Sequence, residues 1–135
     1  MIYLDSSAIL KLVFDEAESA ALAEWFAPTA SRVPPVSSEL ARIEVLRGCR
    51  RVDPRSLPAA RTLLAGLDLI PISADVVDLA TEIGDGLLRS LDAIHLASAA
   101  GMGDELTTFV TYDHRLAGAA VTEGLAVASP GVSGG

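Results

Sequence analysis

Four acidic residues far apart in the chain, Asp5, Glu44, Asp92 and Asp113, are the side chains whose type and placement could do chemistry. Asp5 directly follows the short apolar run Ile2-Tyr3-Leu4, and Asp113 comes two residues after the β-rich stretch 107–111. Asp92 falls in the first turn of an apolar helix starting near Leu91, and Glu44 lies on a helix of about 38–51. There Glu44 interrupts a face of Leu40, Ile43 and Leu46, which helical spacing should turn inward. A charge so placed is costly unless it is paired or holds a metal. Each acid also has an ordinary explanation: an N-cap worth about 1 kcal/mol for Asp5, a helix N-terminal charge worth about 0.3–1 kcal/mol for Asp92, and a salt bridge from Glu44 to Arg47 or Arg51. Together these leave unexplained why all four gather around one expected cleft. Two carboxylates about 4 Å apart repel by about 1 kcal/mol in water and about 4 kcal/mol near a protein surface. Some must therefore protonate, or a cation must neutralise them. Oxygen-only ligands select Mg²⁺ or Mn²⁺, and such ions activate water and steady a leaving oxygen in phosphodiester cleavage.

The elements that would position these acids alternate along the chain. Ile2-Tyr3-Leu4 is too short for a helix and suits a central strand, with Asp5-Ser6-Ser7 capping the helix after it. Helical segments are expected over about 7–14, 16–27 (closed by Pro28), 38–51, 57–66, 74–84 and 91–102, with a short one beginning at Asp113-His114. Between them, Val33-Pro34-Pro35-Val36 is at most a short edge strand, because proline cannot donate to a ladder. Residues 67–72, 107–111 and 125–127 read as further strands. Short apolar strands alternating with helices predict an α/β fold, a three-layer α/β/α sandwich on a mainly parallel sheet of four to five strands. Such a sheet puts its strand carboxyl ends, and with them Asp5 and Asp113, along one edge.

The chain has 135 residues, which suits one domain over 1–129, followed by a Gly/Ser-rich tail at 130–135 expected to be flexible. Half of the residues are hydrophobic and the mean hydropathy is +0.42, far from the composition of a disordered chain. No apolar run approaches the roughly 20 residues needed to span a bilayer, and the opening Met-Ile-Tyr-Leu-Asp lacks a signal-peptide pattern. A cytoplasmic protein with no membrane partner is expected. The single cysteine, Cys49, excludes an internal disulfide and a multi-cysteine zinc site, and reads as an inert, half-buried thiol. A net charge of −8 repels phosphate backbones unless basic groups cluster or cations intervene. Arg42, Arg47, Arg50, Arg51, Arg55 and Arg61 do crowd one stretch, either as a solvated helix face or as a phosphate-attracting strip beside the acids. His95 and His114 have no partner at zinc spacing, and His95 reads as a satisfied core histidine; Gly84-Asp85-Gly86 is a loop signal only.

These residues resemble the PIN-domain superfamily, and within it the bacterial VapC toxins. The similarity lies in Met1-Ile2-Tyr3-Leu4-Asp5-Ser6-Ser7-Ala8, in Ser37-Ser38-Glu39-Leu40-Ala41-Arg42-Ile43-Glu44, in Ser90-Leu91-Asp92-Ala93-Ile94-His95-Leu96-Ala97, and in Val110-Thr111-Tyr112-Asp113. The four segments occur in the family's order over nearly the whole chain. The resemblance implies a Rossmann-like, PIN-like sheet and Mg²⁺ (with Mn²⁺ substituting) on Asp5, Asp92 and Asp113. It further implies that Glu44 positions or deprotonates the attacking water, and that Ser6 and Thr111 support the site. By the same resemblance the protein is an endoribonuclease cutting structured RNA of the tRNA or rRNA class. It is then the toxin of a type II toxin–antitoxin pair, a homodimer that also binds a VapB-like antitoxin. Candidates for the antitoxin groove are Ile9, Leu10, Val13 and Phe14, with Trp25 and Phe26; ordinary core is the alternative for each. Two other functions stay open: a PIN-like module that binds RNA or protein without cutting, and a metal-dependent hydrolase of small phosphate esters. Against the latter, Asp5-Ser6-Ser7 lacks an Asp-x-Asp nucleophile.

Overall fold

The computed structural model describes residues 1–132. Five short strands, β1 (Ile2–Leu4), β2 (Val36–Ser38), β3 (Asp68–Ile70), β4 (Thr108–Val110) and β5 (Val127–Ala128), form one sheet in the order β3-β2-β1-β4-β5. Every pairing is parallel, with Tyr3 beside Val36 and Leu4 beside Val110. The helices are α1 (Ser6–Val13), α2 (Ser19–Ala30), α3 (Glu39–Val52), α4 (Leu57–Ala65), α5 (Ala74–Ala80), α6 (Ser90–Ala100) and α7 (His114–Thr122). Parallel strands need crossovers, and the helices supply them.

Side chains of β1 alternate between two cores although the run is apolar throughout. Ile2 and Leu4 pack with Ala8, Ile9, Leu22, Ala41, Val45 and Leu64 from α1 to α4. Tyr3 turns to the other face, where Phe109, Ala93, Leu96, Leu116 and Ala120 come from β4, α6 and α7. That is the three-layer sandwich expected from the sequence. The chain builds β1, β2 and β3 outward in one direction and then crosses to place β4 on the opposite side of β1. Strand order reverses between β1 and β4, the place where α/β sheets carry their sites beyond the strand carboxyl ends.

Several boundaries differ from the sequence reading, each for a local reason. Strand β2 starts beyond both prolines, at Val36, and so pairs on both sides with β1 and β3 instead of lying at an edge. Its buried serines are satisfied: Ser37 Oγ donates to Leu4 O at 2.6 Å, and Ser38 Oγ caps α3 by accepting from Leu40 N. Helix α2 begins at Ser19, because Ser19 Oγ accepts from Glu16 N and donates to Phe14 O, and Lys11 pairs with Glu16 and Glu18. These contacts hold the preceding residues as a linker. The same helix runs through Pro28 to Ala30. Pro28 and Glu24, whose carbonyl loses its donor, are both exposed, so the freed oxygen is not sealed in the core. Helix α5 stops at Ala80, and Gly84 then takes a φ of 73°, a conformation strained for residues with a Cβ. Cys49 is fully buried, not half-buried, because it shares the inward face of α3 with Ala41 and Val45. Ile43 is 57% exposed and lies off that face. Within the expected tail, the Pro130 carbonyl accepts from Tyr112 Oη at 2.7 Å, while residues 133–135 lie outside the described residues. Among the described residues, no helix is long and apolar enough to cross a membrane.

Leu4 has no exposed surface and fills the centre of the α1–α4 core. Leu4→Ala should cost about 2–5 kcal/mol of unfolding free energy, read by urea denaturation. A loss below about 1 kcal/mol, the size of an Ile→Val change, would mean that this core does not depend on β1.

Candidate active site

Asp5 sits at the carboxyl end of β1 with 3% of its surface exposed. Its backbone N–H continues the ladder to Val110 O at 3.1 Å, and its side chain caps α1 by accepting from Ala8 N at 3.0 Å. Two hydroxyls complete its shell: Ser7 Oγ donates to Oδ1 at 2.6 Å and Thr111 Oγ1 to Oδ2 at 2.5 Å. Both hydroxyls also reach the loop after β4. Ser7 Oγ accepts from Tyr112 N at 2.9 Å, and Thr111 Oγ1 accepts from Asp113 N at 3.1 Å. The β1 and β4 termini are thereby stitched through one carboxylate. Burial raises the Asp5 pKa, and the donations from Ser7, Thr111 and Ala8 only partly offset it.

Asp113 caps α7, its Oδ1 accepting from Leu116 N at 2.9 Å, and its carboxylate is exposed. Asp92 lies half-buried in the first turn of α6 and receives no hydrogen bond from the described residues. Burial first, then the negative charges of Asp113, Asp5 and Glu44, lift its pKa, with His95 acting the other way. The helix dipole favours a first-turn acid by at most about 1 kcal/mol; here desolvation and repulsion outweigh it. Glu44 stands on α3 with Oε1 accepting from Ser6 Oγ at 2.7 Å and lying 2.7 Å from His95 Nε2. Burial alone would raise the Glu44 carboxyl, but the His95 and Ser6 hydrogen bonds prevail and hold it below its usual range.

All four acids line a single cleft of about 600 Å³, with Ser6, Ser7 and His95 in the same wall and Arg47 and Arg51 alongside. No ion pair among the described residues joins any of the four to an arginine, so the expected alternative of a Glu44 salt bridge to Arg47 or Arg51 does not hold. His95 takes that place because its Nε2 is within hydrogen-bond distance. The arginine stretch divides: Arg47 and Arg51 reach the cleft, whereas Arg55 is spent on Asp53. A second cleft of about 790 Å³ shares Asp92 and is lined by Arg89, His114 and Arg115. The donor set of the acid cleft fits a hard divalent cation, being carboxylate oxygen with mutual repulsion that no arginine relieves. Among the described residues, no three His, Cys, Asp or Glu side chains already close into a cation cage.

Sequence reasoning did not single out Ser7, although its position two residues after Asp5 is a recognisable local hydrogen-bonding place. It treated His95 as core only. His95 is indeed buried and satisfied, but it also faces Glu44, as its spacing of three from Asp92 on one helix could have indicated. The proposed groove residues separate. Ile9 has no exposed surface and belongs to the core, because α1 lies against the sheet on that face. Leu10, Val13, Phe14 and Phe26 are half-buried over the same core, and Trp25 is exposed. Leu10 also lines the acid cleft.

A model of the PIN domain matches residues 2–121. Ribonuclease VapC47 of Mycobacterium tuberculosis (strain CDC 1551 / Oshkosh) is 46% identical over 133 residues, spanning 97% of this chain and 98% of that protein. Among solved structures, the sarcin-ricin-loop-cleaving toxin VapC20 of Mycobacterium tuberculosis superposes with a TM-score of 0.74 at 18% identity, covering 96% of this chain and 100% of the other. A toxin–antitoxin complex from Klebsiella pneumoniae gives a TM-score of 0.66 at 22% identity, over 87% and 92% of the two chains. At those identities the structural matches speak for the fold.

The raised Asp92 pKa carries a sign for stability. A carboxyl whose folded-state pKa exceeds its unfolded value imposes no penalty below the unfolded pKa, a growing one as pH rises from the unfolded to the folded pKa, and its full penalty above that. Without divalent metal, Asp92→Asn should therefore raise Tm at pH 7, by a small amount because solvent screens a carboxyl that is only half-buried. The gain should fade as pH falls through the carboxylate range. Calorimetry showing no gain at pH 7, or one that grows in acid, would contradict the repulsion inferred for this cleft.

Proposed function

This chain belongs to the PIN-domain family, among the VapC ribonucleases, and from that premise we propose that it is a Mg²⁺-dependent endoribonuclease acting on structured RNA, the toxin of a type II toxin–antitoxin pair. The observation that carries the reading is the convergence of Asp5, Glu44, Asp92 and Asp113 on one cleft without arginine neutralisation. Asp5, Asp92 and Asp113 are the residues that would hold Mg²⁺, or Mn²⁺ in its place. Once bound, the ion supplies positive charge for phosphate oxygens and makes a neighbouring water a better nucleophile. Asp5 is fixed for this role by three donors, whereas Asp92 receives no hydrogen bond among the described residues. Glu44, held below its usual pKa, is ionised and would orient the attacking water by accepting a hydrogen bond from it. Arg47 and Arg51 flank the acids and would take phosphates beside the scissile one. Substrate choice in such a site rests on RNA shape, which favours folded targets of the tRNA or rRNA class over a short sequence.

The partner reading follows from the apolar shoulder beside the cleft. Leu10, Val13, Phe14, Phe26 and the exposed Trp25 offer a surface for an antitoxin segment, with Leu10 continuing into the acid wall. A basic antitoxin side chain entering there would meet the unneutralised carboxylates. Leu87 and Leu91, exposed by 84% and 49%, are apolar surface that a second copy in a homodimer would cover.

Asp5→Asn and Asp92→Asn should each lower cleavage of folded RNA at least about 100-fold, given that losing one electrostatic stabiliser commonly costs 10²–10³ in rate. Mg²⁺ should raise the Tm of the wild-type protein and leave that of Asp92→Asn nearly unchanged. Wild-type rates in both variants would remove the catalytic assignment. RNA binding in EDTA with no cutting in Mg²⁺ or Mn²⁺ would favour the binding-module reading instead.

A further inference from the structure

Behind the acid cleft a hydrogen-bonded chain runs from the core to Glu44. Tyr3 has no exposed surface, stacks on Phe109 (5.2 Å between centroids, 12° between planes) and meets the His95 ring edge-on (5.9 Å, 81°). Its Oη lies 2.7 Å from His95 Nδ1. On the other side of the ring, Nε2 lies 2.7 Å from Glu44 Oε1 and 3.1 Å from Ser6 Oγ. Ser6 Oγ donates to the same Oε1 at 2.7 Å. Two donors from different helices thus converge on one oxygen, and Oε2 has no partner among the described residues. A histidine kept only for packing needs its nitrogens satisfied; it does not need to meet a carboxylate on the wall of the cleft.

We propose that His95 is a positioning residue for the cleavage reaction: Tyr3 fixes the ring as its Nε2–H tautomer, and the ring in turn pins Glu44 through Oε1, leaving Oε2 to face the attacking water. The inference rests on the nuclease reading above and adds a residue to it. The tautomer follows from the carboxylate. Glu44 Oε1, 2.7 Å from Nε2, can only accept, so the ring proton sits on Nε2. Nδ1 is then left to accept from Tyr3 Oη, 2.7 Å away on the other side of the ring. Pinning matters because a glutamate on an open wall has three rotatable side-chain bonds, and a base works only within hydrogen-bond reach of its proton. Supporting partners of this kind typically cost 10–100-fold when removed.

The test compares His95→Leu, His95→Gln and Tyr3→Phe with the wild-type protein, using folded RNA and Mg²⁺, with melting curves to verify folding. The glutamine amide reaches roughly where Nε2 stands and can donate to Oε1. His95→Leu should lower kcat about 10–100-fold with KM unchanged, His95→Gln should recover most of the loss, and Tyr3→Phe should fall between. Equal losses in the leucine and glutamine variants, a loss carried by KM, or no loss would overturn the proposal. Imidazole ¹⁵N NMR of the metal-free wild-type protein gives a readout independent of turnover. It should report a proton on Nε2; a ring protonated on Nδ1 alone would overturn the clamp. If the wild-type protein cuts no RNA at all, the nuclease reading fails. If it cuts and the His95 variants do not respond, only the present inference fails.

Discussion

Asp5 is carried out of water at the end of the central strand, and its carboxylate is answered there by hydroxyls and a backbone N–H instead of a countercharge. One oxygen takes Ser7 and the N-terminus of α1; the other takes Thr111. The same two hydroxyls receive the backbone N–H groups of Tyr112 and Asp113. A single buried acid therefore fixes the start of α1, the end of β1 and the turn after β4 relative to one another. Neutral donors steady a carboxylate without cancelling its charge, so at the sheet edge burial, not a paired arginine, is what opposes the negative field. An arginine in their place would have held the geometry equally well and removed the field.

That field reconciles an acidic protein with an anionic substrate. The net charge of −8 argues against contact with RNA only if it is spread evenly. Here the acids at the sheet edge repel one another, as the raised Asp92 pKa reflects, and Arg47 and Arg51 flank them without pairing. On the proposed reading, such a surface would attract a divalent cation first and a phosphate chain with it. Glu44 departs from the pattern because His95 and Ser6 favour its ionised form. Environments that push neighbouring carboxyls in opposite directions assign them different work.

The Tyr3–His95–Glu44 chain ties this edge to the hydrophobic layer beneath. Tyr3 belongs at once to the sheet, through its backbone, and to the α6–α7 core, through its ring. Movement of α6, which carries His95, would be transmitted to Glu44 through the His95–Glu44 hydrogen bond, so the packing of the second core and the geometry of the cleft are not independent.

Local chemistry made much of this protein legible from its residues. Asp5, Ser38, Ser73 and Asp113 are helix caps as their types foretell, and alternating short apolar runs and helices of about ten residues specify a parallel three-layer sheet. Pattern failed where a long-range contact or solvent decided the outcome. The strand after Pro35 pairs on both sides, Pro28 sits within a helix whose freed carbonyl meets water, and Ile43 lies outside the buried face of α3. The four acids could be nominated from sequence, and by resemblance Ser6 and Thr111 with them, but which donor meets which acid could not. Thr111 on Asp5, and Tyr3 and His95 behind Glu44, are joined across separations of 51 to 106 residues. Periodicity and capping act within a few residues of the chain and are written in it directly. Which donor meets which carboxylate depends on how the layers stack, and only the tertiary structure decides that.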